Sequence, residues 1–307
     1  MLDLSIIIVS WNVRDFLAAC LTSIQANSAA LDCEVIVVDS ASSDDSVEML
    51  RSQFSWVKLL PQAENVGFTK GNNIGLKAAQ GRYVLLLNPD TEMIEDALVQ
   101  MVRYLDAHPD VGIIGPRTQN TDGSPQSTRR RFPTLITAMF DSTWLAPYAP
   151  RRVLDDYYAR DVEEMATADV DWVQGSALMT RRVIYEQIGG LDERYVMFSE
   201  ELDWCKRIRS AGWRTVYLGG ARIVHHGGKS TEQVHALKHI YFQQSKIRYF
   251  GKFHGALAAL WVRLFLIGNY VEQLGVEGIK GLLGSKRDLR HERVQMYWQV
   301  IRALVHP

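Results

Sequence analysis

The chain of 307 residues is 47% hydrophobic and 22% charged, which is typical of a folded protein with one large core, or one domain plus an appendage. Its net charge of −1 gives no general attraction to nucleic acid, so we expect no nucleic-acid partner. Three cysteines, Cys20, Cys33 and Cys205, have no metal-binding spacing, which indicates reduced thiols in a cytoplasmic protein. Residues 1–4 lack the basic region and cleavage site of a signal peptide, in keeping with that location.

Short apolar runs alternate with helical patterns through the first part of the chain. The predicted strands are Leu4–Val9, Glu34–Asp39, Trp56–Leu60, Arg82–Leu87 and Val111–Gly115. The predicted helices run from Asn12 to Asn27, from Val47 to Phe54, from Thr69 to Ala79 and from Glu95 to Ala107. Strands that alternate with helices at this spacing indicate an α/β fold, with a mostly parallel, Rossmann-like sheet and helices on both faces.

The later part of the chain is less regular. We interpret residues 117–170 as loops and an insertion. The pattern then predicts a strand over Asp171–Thr180, a helix over Glu200–Ala211, strands near Thr215 and Arg222, and helices from about Val234 onward. We therefore expect a catalytic domain over residues 1–233 and a helical C-terminal region over residues 234–307.

The C-terminal region is basic. Residues 238–307 contain 11 Lys/Arg and 4 Asp/Glu, a net charge of +7, whereas residues 1–237 have a net charge of −8. The apolar stretch from Gly255 to Val271 is 17 residues long and is interrupted by Arg263, so it is too short and too charged for a comfortable membrane span. We expect this region to lie on a membrane surface or to mediate homodimer contacts, and the alternative is a solvated helical face.

Polar residues follow several of the predicted strands. Ser10, Asn12, Asp39 and Asn88-Pro89-Asp90 all lie where the carboxyl ends of parallel strands would meet, which is the ligand-binding edge of such sheets. No Gly-x-Gly-x-x-Gly or Walker-type loop is present, which argues against a nicotinamide dehydrogenase and a P-loop NTPase. A nucleotide diphosphate would then need another neutralising group, such as Mg²⁺ or Mn²⁺ on Asp90, although Asn-Pro-Asp alone is more often a plain turn.

Glycines recur every four residues in the stretch from Asn65 to Gly75. On a helix, Gly67, Gly71 and Gly75 would form a bare face that permits close backbone approach. The face can serve tight packing on the sheet, or it can serve ligand contact together with the asparagines Asn65, Asn72 and Asn73.

Acidic residues and adjacent histidines form two further candidate groups. Glu200, Glu201 and Asp203 cluster at one helix start, where they either complement the helix dipole or place a carboxylate to deprotonate a sugar hydroxyl. His225 and His226 would point to opposite sides of a strand, so only one of them can face a site.

Together these stretches resemble the family-2 glycosyltransferases with a GT-A fold, most closely the bacterial rhamnosyltransferase-like branch. The resemblance spans about residues 4–231 in the family's order. The matching stretches are Ser5 to Asn12, Val37 to Ser40, Asn65 to Phe68, Asn72 to Gly75, Leu86 to Asp90, Gly190 to Glu193, Glu200 to Asp203, and Val224 to Ser230.

The resemblance implies a nucleotide pocket and a metal site. In the family's pattern Asp39 contacts the nucleoside, with Ser10 and Asn12 near the same pocket. The nucleotide-binding set that we predict is Ser10, Asn12, Asp39, Asn65, Asn72, Asn73 and Asn88. The last residue of Asn88-Pro89-Asp90 would ligate Mg²⁺ or Mn²⁺ together with His225, with His226 as the second choice. This sequence has Asn88 where the family usually has Asp, which leaves one charged ligand.

The resemblance also implies a catalytic base and an acceptor side. Glu201 fills the base position, where the family usually has Asp, with Asp203 as the fallback and Glu200 beside it. The predicted acceptor-side wall is formed by Trp172, Gly175 and Ser176. Arg130, in the exposed basic stretch of residues 129–131, is a predicted diphosphate contact, although a solvated loop explains that stretch equally well.

The function implied is that of an inverting, metal-dependent glycosyltransferase. It would move a sugar, with rhamnose favoured, from a dTDP- or UDP-sugar to a hydroxyl of a glycan acceptor in cell-surface polysaccharide synthesis. A lipid-linked acceptor would suit peripheral association with the inner face of the plasma membrane. The alternatives are an inactive nucleotide-sugar-binding or scaffold protein and a nucleotidyltransferase, which would need a Gly-rich basic loop after the first strand.

Overall fold

The computed structural model describes residues 2–227, 235–284 and 286–306. The chain divides into two compact units, which are described separately below. The first consists of Met1–Phe132, Tyr158–Val196 and Glu200–Glu232, and the second of Pro133–Tyr157, Met197–Ser199 and Gln233–Pro307. The domain boundary expected between residues 233 and 234 lies outside the described residues and stays a prediction, and the end of the histidine-containing motif, residues 228–230, also lies outside them.

The strands all belong to the first unit. In chain order they are β1 Leu4–Ser10, β2 Cys33–Asp39, β3 Lys58–Pro61, β4 Tyr83–Leu87, β5 Thr91–Ile94, β6 Val111–Gln119, β7 Pro125–Gln126, β8 Arg129–Arg130, β9 Thr167–Val170, β10 Trp172–Val173, β11 Ala177–Arg181 and β12 Arg214–His225.

The helices are divided between the two units. In chain order they are α1 Arg14–Asn27, α2 Ser46–Gln53, α3 Phe68–Ala78, α4 Ala97–Ala107, α5 Leu135–Phe140, α6 Arg151–Tyr157, α7 Arg182–Ile188, α8 Glu200–Ser210, α9 His235–His254, α10 Ala256–Leu282 and α11 Arg287–Val305. Helices α5, α6 and α9 to α11 belong to the second unit, and the others surround the sheet of the first.

The central sheet has the strand order β3-β2-β1-β4-β11-β6-β12-β5, with β7 beside β6 and β9 beside β12. The block β3-β2-β1-β4 and the pair β6/β12 are parallel, and β11, β5, β7 and β9 run antiparallel to their neighbours. All seven residues of β1 and all five of β4 are buried, which explains their lack of apolar–polar alternation. The predicted α/β fold with a helical C-terminal region is confirmed.

The interpretation of residues 117–170 as loops and an insertion is wrong in part. Strand β6 continues to Gln119, and a turn at Asp122-Gly123 returns the chain as β7, which pairs with β6. The remainder contains β8, β9, α5 and α6. The predicted strand over Asp171–Thr180 is instead two strands, β10 and β11, and the residues between them lie beside the candidate site.

The glycines of α3 serve packing against the sheet. A Cβ atom on Gly75 would lie 2.3 Å from the Cγ2 atom of Ile7, and one on Gly71 would lie 2.7 Å from the Cγ1 atom of Val9. Both partners belong to β1, so the bare face lets the helix approach that strand closely. Gly67 precedes the helix with φ of +76°, a conformation that favours glycine.

We expect Gly75→Ala to lower the free energy of unfolding by about 1–3 kcal/mol, because the added methyl group overlaps with Ile7. The gain in helix propensity, about 1 kcal/mol, offsets only part of this cost. Urea unfolding measures the effect. Gly268→Ala on α10 is the control, because a Cβ atom there meets nothing within 4 Å and should not destabilise the protein. Equal effects of the two substitutions would contradict the packing role.

The second unit is a helical assembly with its own core. Helices α9, α10 and α11 pack against one another through buried residues that include Tyr249, Phe250, Val262 and Leu266. The buried Lys246 donates to the backbone oxygen of Asp141 at 2.8 Å. Burial lowers the pKa of this lysine, and the Asp141 carboxylate offsets part of the shift. In the described part of the chain, every helix is too short or too polar to cross a bilayer.

Candidate active site

The carboxyl ends of β1 and β2 place buried oxygen atoms side by side. Ser10 pairs with Asp39 in the register of the two strands, and Ser40 follows at once. One Asp39 carboxylate oxygen accepts a hydrogen bond from the backbone N–H of Ser42 at 2.9 Å. The other carboxylate oxygen and the hydroxyls of Ser10 and Ser40 are buried without a hydrogen-bond partner among the described residues. Buried polar atoms normally have partners, so this cluster indicates a ligand position.

Asn12 shapes the loop beside this cluster. Its backbone N–H donates to the Ser42 hydroxyl at 3.0 Å, and its side-chain oxygen accepts from the backbone N–H of Ser43 at 2.8 Å. Its φ of 51° lies in the left-handed region, which asparagine tolerates better than most residues. Asn12 therefore joins the loops that follow β1 and β2, and its predicted contact with nucleotide stays a prediction.

The other predicted asparagines make local or structural contacts. Asn65 accepts a bond from the backbone N–H of Gly67, and Asn72 donates to the backbone oxygen of Phe68 one turn earlier. Asn73 donates to the backbone oxygen of Leu191 and to Glu193, and it accepts from the backbone N–H of Leu191. These bonds make Asn73 a link between α3 and a distant loop. A nucleotide role for these three asparagines stays a prediction.

The structure brings Asp90 and His225 together. Strands β5 and β12 pair with Thr91 opposite His225, and the backbone N–H of His226 donates to the Asp90 backbone oxygen at 2.9 Å. The Nε2 atom of His225 lies 3.3 Å from an Asp90 carboxylate oxygen, and both side chains are buried. His226 instead faces Glu92, with 2.7 Å between its Nε2 atom and the carboxylate.

Gln126 fixes the orientation of the His225 ring. Its amide nitrogen donates to the His225 backbone oxygen at 2.7 Å and to the Asn120 side-chain oxygen at 2.6 Å, so its amide oxygen faces the ring Nδ1 atom at 2.8 Å. The Nδ1 atom then carries the proton, and the Nε2 lone pair faces the Asp90 carboxylate and the side-chain nitrogen of Asn88, which lies 3.4 Å away. Two acceptors that face each other call for a cation or a proton between them.

The Asp90 and His225 side chains fit a site for a divalent cation. The described residues contain no group of three or more His, Cys, Asp or Glu that could hold a metal ion alone. Magnesium sites commonly use one or two protein ligands and complete their shell with substrate phosphates and water. Asp90 and His225 could supply these ligands, and the nearby Asn88 has a buried side-chain oxygen without a hydrogen-bond partner in the described ranges.

Glu201 lies in the first turn of α8, beside the loop between β10 and β11. A Cβ atom on Gly175 would lie 3.6 to 3.7 Å from the Glu201 side-chain carbons, an ordinary contact distance, so Gly175 lies directly against this side chain. Ser176 is buried, and its backbone oxygen accepts from the backbone N–H of Asn88 at 2.9 Å. A backbone hydrogen bond therefore joins the loop between β10 and β11, which lies beside Glu201, to the end of β4, where the turn that contains Asp90 begins.

Burial raises the pKa of the Glu201 carboxyl. Backbone N–H groups, including that of Gly175, and the positive charge of Arg130 offset part of the rise. One oxygen of this carboxyl is buried without a hydrogen-bond partner among the described residues. A carboxylate with a raised pKa and an open acceptor position suits the acceptance of a proton from a bound alcohol.

The neighbouring acids have different surroundings. Asp203 is fully buried and forms an ion pair with Arg207 at 2.7 Å, and Arg207 also donates to the backbone oxygens of Ile188 and Gly190. Glu200 is buried, and burial followed by the charge of Glu201 raises its pKa well above the usual range. The carboxylate of Asp203 is therefore occupied by an ion pair within its own helix, whereas that of Glu200 has no such charged partner of opposite sign among the described residues.

We expect Glu200→Gln to become progressively more stable than the native chain as the pH rises from 5 to 8. A carboxyl whose folded-state pKa is raised stabilises the fold below its unfolded-state pKa of about 4.3, and that stability is lost as the pH rises through the folded-state value. Urea unfolding across this range tests the trend. Glu186→Gln, at an exposed position of α7, is the control, and an equally flat difference for both variants would contradict the raised pKa.

Trp172 and Arg130 lie opposite each other on β10 and β8. The indole N–H of Trp172 donates to the Arg131 backbone oxygen at 2.9 Å, and the residue is buried. The Arg130 guanidinium carbon lies 4.5 Å from the ring centroid of Tyr158 and 5.9 Å from that of Trp172. Their predicted roles at the acceptor side and at a diphosphate stay predictions.

Sequence reasoning missed Ser40 and Gln126. Ser40 belongs to the resemblance only as the end of a strand motif, and its burial follows from the packing of β1 against β2. Gln126 lies in the stretch interpreted as irregular. The Asp122-Gly123 pair, a common hairpin-turn sequence, is the signal that could have revealed β7 and hence the return of Gln126 to the site.

The fold is that of GT-A glycosyltransferases. The mannosyltransferase PcManGT from Pyrobaculum calidifontis, solved with GDP-Man and Mn²⁺, superposes with a TM-score of 0.58 at 18% identity and covers 99% of this chain and 88% of its own. At this identity the likeness shows the fold alone.

Two relatives found by sequence are more informative about the reaction than the structural likeness. The N-acetylglucosaminyl-diphospho-decaprenol L-rhamnosyltransferase of Mycobacterium tuberculosis is 30% identical over 208 residues, which is 64% of this chain and 67% of the relative. The rhamnosyltransferase WbbL of Escherichia coli K12 is 25% identical over 206 residues, which is 61% of this chain and 70% of the relative.

Residues 5–184 match Glycosyl transferase family 2. The chain therefore belongs to this family, and its relatives support the rhamnosyltransferase-like branch. The reaction class is glycosyl transfer, as the resemblance implied.

Proposed function

We propose that this protein is an inverting glycosyltransferase that moves rhamnose from a dTDP- or UDP-sugar to a hydroxyl of a lipid-linked glycan acceptor. The observation that carries the proposal is the Asp90–His225 pair, which lies at the carboxyl edge of the sheet, where Ser10 and Asp39 offer buried unpartnered oxygens. The names of the two rhamnosyltransferase relatives support the sugar, and the decaprenol-linked acceptor in one name supports the lipid.

The proposed chemistry assigns a role to each part of the site. Ser10, Asp39 and Ser40 bind the nucleoside, because their open oxygens can accept or donate hydrogen bonds to a base or ribose. Asp90 and His225 would hold a divalent cation, which would supply charge stabilisation for the departing diphosphate. Glu201 accepts the proton of the acceptor hydroxyl, which attacks the anomeric carbon from the face opposite the nucleotide, so the configuration inverts.

Metal dependence is supported by the chemistry of the donor set. The Asp90 carboxylate suits Mg²⁺ or Mn²⁺ in combination with phosphate oxygens, and the imidazole nitrogen of His225 is a ligand that Mn²⁺ accepts more readily than Mg²⁺. The Mn²⁺ bound in the mannosyltransferase of the same fold is consistent with this assignment. Asp203 is the weaker candidate for the base because of its ion pair with Arg207.

The proposed location is the cytoplasm, at the inner face of the plasma membrane, where a lipid-linked acceptor would be presented. The basic composition of residues 238–307 supports attraction to anionic lipids. The expected homodimer stays a prediction.

A donor panel tests the proposed function. The protein is incubated with dTDP-rhamnose, UDP-glucose and GDP-mannose, with and without Mn²⁺, and nucleotide release and thermal stabilisation are measured. We expect dTDP- or UDP-sugars to stabilise the protein and to be turned over only with the metal. Turnover that is equal in EDTA would contradict the metal role. Binding without any turnover on glycan acceptors would favour the alternative of an inactive nucleotide-sugar-binding protein.

A further inference from the structure

One face of α10 is apolar and exposed along the length of the helix. Residues three, four or seven positions apart share a helix face, and this spacing places the exposed apolar residues of α10 on one side. They are Leu257 (83% exposed), Leu260 (50%), Trp261 (40%), Leu264 (60%), Val271 (53%), Ile279 (61%) and Leu282 (85%). We call this set the apolar face of α10. A helix on a water-exposed surface normally presents polar residues on its outer side.

The opposite side of the same helix is already packed. Ala258, Val262, Leu266 and Tyr270 are buried, and α9 and α11 are the neighbouring helices. The apolar face of α10 is therefore a second apolar surface on a helix that has already contributed to its core. Large exposed apolar patches usually mark an interaction site.

The apolar face of α10 could be covered by a second copy of this chain or by an anionic lipid surface. The distribution of charge along the helix decides between these two. Exposed basic side chains lie at both ends of α10, with Lys252 before it, Lys280 in its last turn, and Lys286 and Arg287 after it. These basic side chains outnumber the exposed acids of the same stretch, Glu272 and Asp288, so a second copy packed along the same face would bring net positive charge together. An anionic lipid surface would instead attract both ends.

A cavity in the same helical unit offers a place for a phosphate group. It has a volume of about 300 Å³ and is lined by Gln244, Ile247, Arg248, Arg263, Ala303 and Leu304. Arg263 lies on α10 at the border between the buried side and the apolar face, is half-buried, and has no ion-pair partner among the described residues. Guanidinium groups bind phosphate oxygens through paired hydrogen bonds, so two arginines at one cavity suit a lipid headgroup.

We propose that the apolar face of α10 lies in the surface of an anionic lipid bilayer, with a lipid phosphate bound between Arg248 and Arg263. The helix lies on the bilayer and does not cross it, which agrees with the lack of a membrane-spanning helix in the described residues. The inference deepens the proposed function and rests on it only for the lipid-linked acceptor, which this contact would bring to the enzyme.

Vesicle flotation of the full-length protein tests the apolar contact. With phosphatidylcholine vesicles that contain phosphatidylglycerol, we expect the double substitution Leu260→Glu/Leu264→Glu to lower partitioning by about a hundredfold, because each leucine contributes roughly tenfold. The matched control is Gln295→Glu/Gln299→Glu, which adds two charges with the same spacing to exposed positions of α11 without removing apolar side chains. An equal loss in the control, or native partitioning of the leucine variant, would overturn the proposal.

The phosphate contact and the competing dimer have separate readouts. We expect Arg263→Gln to reduce the preference for phosphatidylglycerol vesicles over pure phosphatidylcholine vesicles by about tenfold. Light scattering after size-exclusion chromatography reports the oligomeric state. If the leucine variant changed a dimer to a monomer and left vesicle binding intact, the face would be a self-association surface and the proposal would be wrong. Donor turnover in solution should stay unchanged in all three variants, so the catalytic assignment is tested independently of the membrane contact.

Discussion

Replacing Glu201 with glutamine is expected to lower kcat by about 10²–10⁴-fold while donor binding persists. Glutamine preserves the shape of the side chain but has no basic oxygen to accept the acceptor's proton. The carboxyl lies beside Gly175, and burial raises its pKa, so it is a stronger base than an exposed glutamate. Steady-state kinetics gives kcat, and calorimetry with the nucleotide sugar gives the donor affinity.

Glu201→Asp is the matched variant. It keeps the carboxylate and restores the residue that the family usually has at this position, so it should retain far more activity than Glu201→Gln. Asp203→Asn provides a contrast, since this side chain is committed to Arg207 and its loss should reduce stability more than it reduces chemistry in the folded fraction. Unchanged turnover in Glu201→Gln would remove Glu201 from the mechanism.

The pH profile adds an independent check on the base. The reaction needs the ionised form of Glu201, so kcat/KM should fall as the pH drops through a pKa above that of an ordinary glutamate. Arg130 lowers this pKa by its positive charge, and Arg130→Gln should therefore move the acidic limb of the profile to higher pH. If the acidic limb did not move, Arg130 would have no effect on the pKa of the catalytic base.

The parallel block of the fold could be predicted because its strands are short, fully buried apolar runs. Val35 to Val38 and the residues of β1 show no alternation, and such runs occur where helices cover both faces of a sheet. Strand β5 was missed because Thr91–Ile94 is only four residues long and directly follows a turn. It forms part of the sheet because β12 extends to His225 and pairs with it, a contact between residues more than 120 positions apart.

The candidate site could be predicted only where it follows from strand ends. Ser10 and Asp39 lie together because parallel neighbours end at the same edge. The orientation of the His225 ring depends on Gln126, which reaches the ring only through the β6–β7 hairpin. The hydrogen bond of Asn73 depends on Leu191, in a loop 118 positions away. Local sequence patterns do not encode such long-range contacts.

Replacing Asp90 with asparagine should weaken Mn²⁺ binding by at least about tenfold and reduce donor turnover with it. The substitution removes the negative charge that faces the His225 Nε2 atom and keeps the volume of the side chain. Electron paramagnetic resonance of free Mn²⁺ gives the affinity without any need for activity. Glu92→Gln is the matched control, because Glu92 lies two residues along the chain and faces His226 instead.

Asn88→Asp should act in the opposite direction. It would place a second carboxylate beside Asp90 and the His225 ring, where this chain has an amide that lies 3.4 Å from the imidazole. A cation relieves the repulsion between two carboxylates, so Mn²⁺ should bind more tightly to this variant than to the native protein. Weakened binding in Asp90→Asn and tightened binding in Asn88→Asp would together locate the cation at this turn. If both variants bound Mn²⁺ like the native chain, the pair of Asp90 and His225 would be a structural contact, and the metal would have to be held elsewhere.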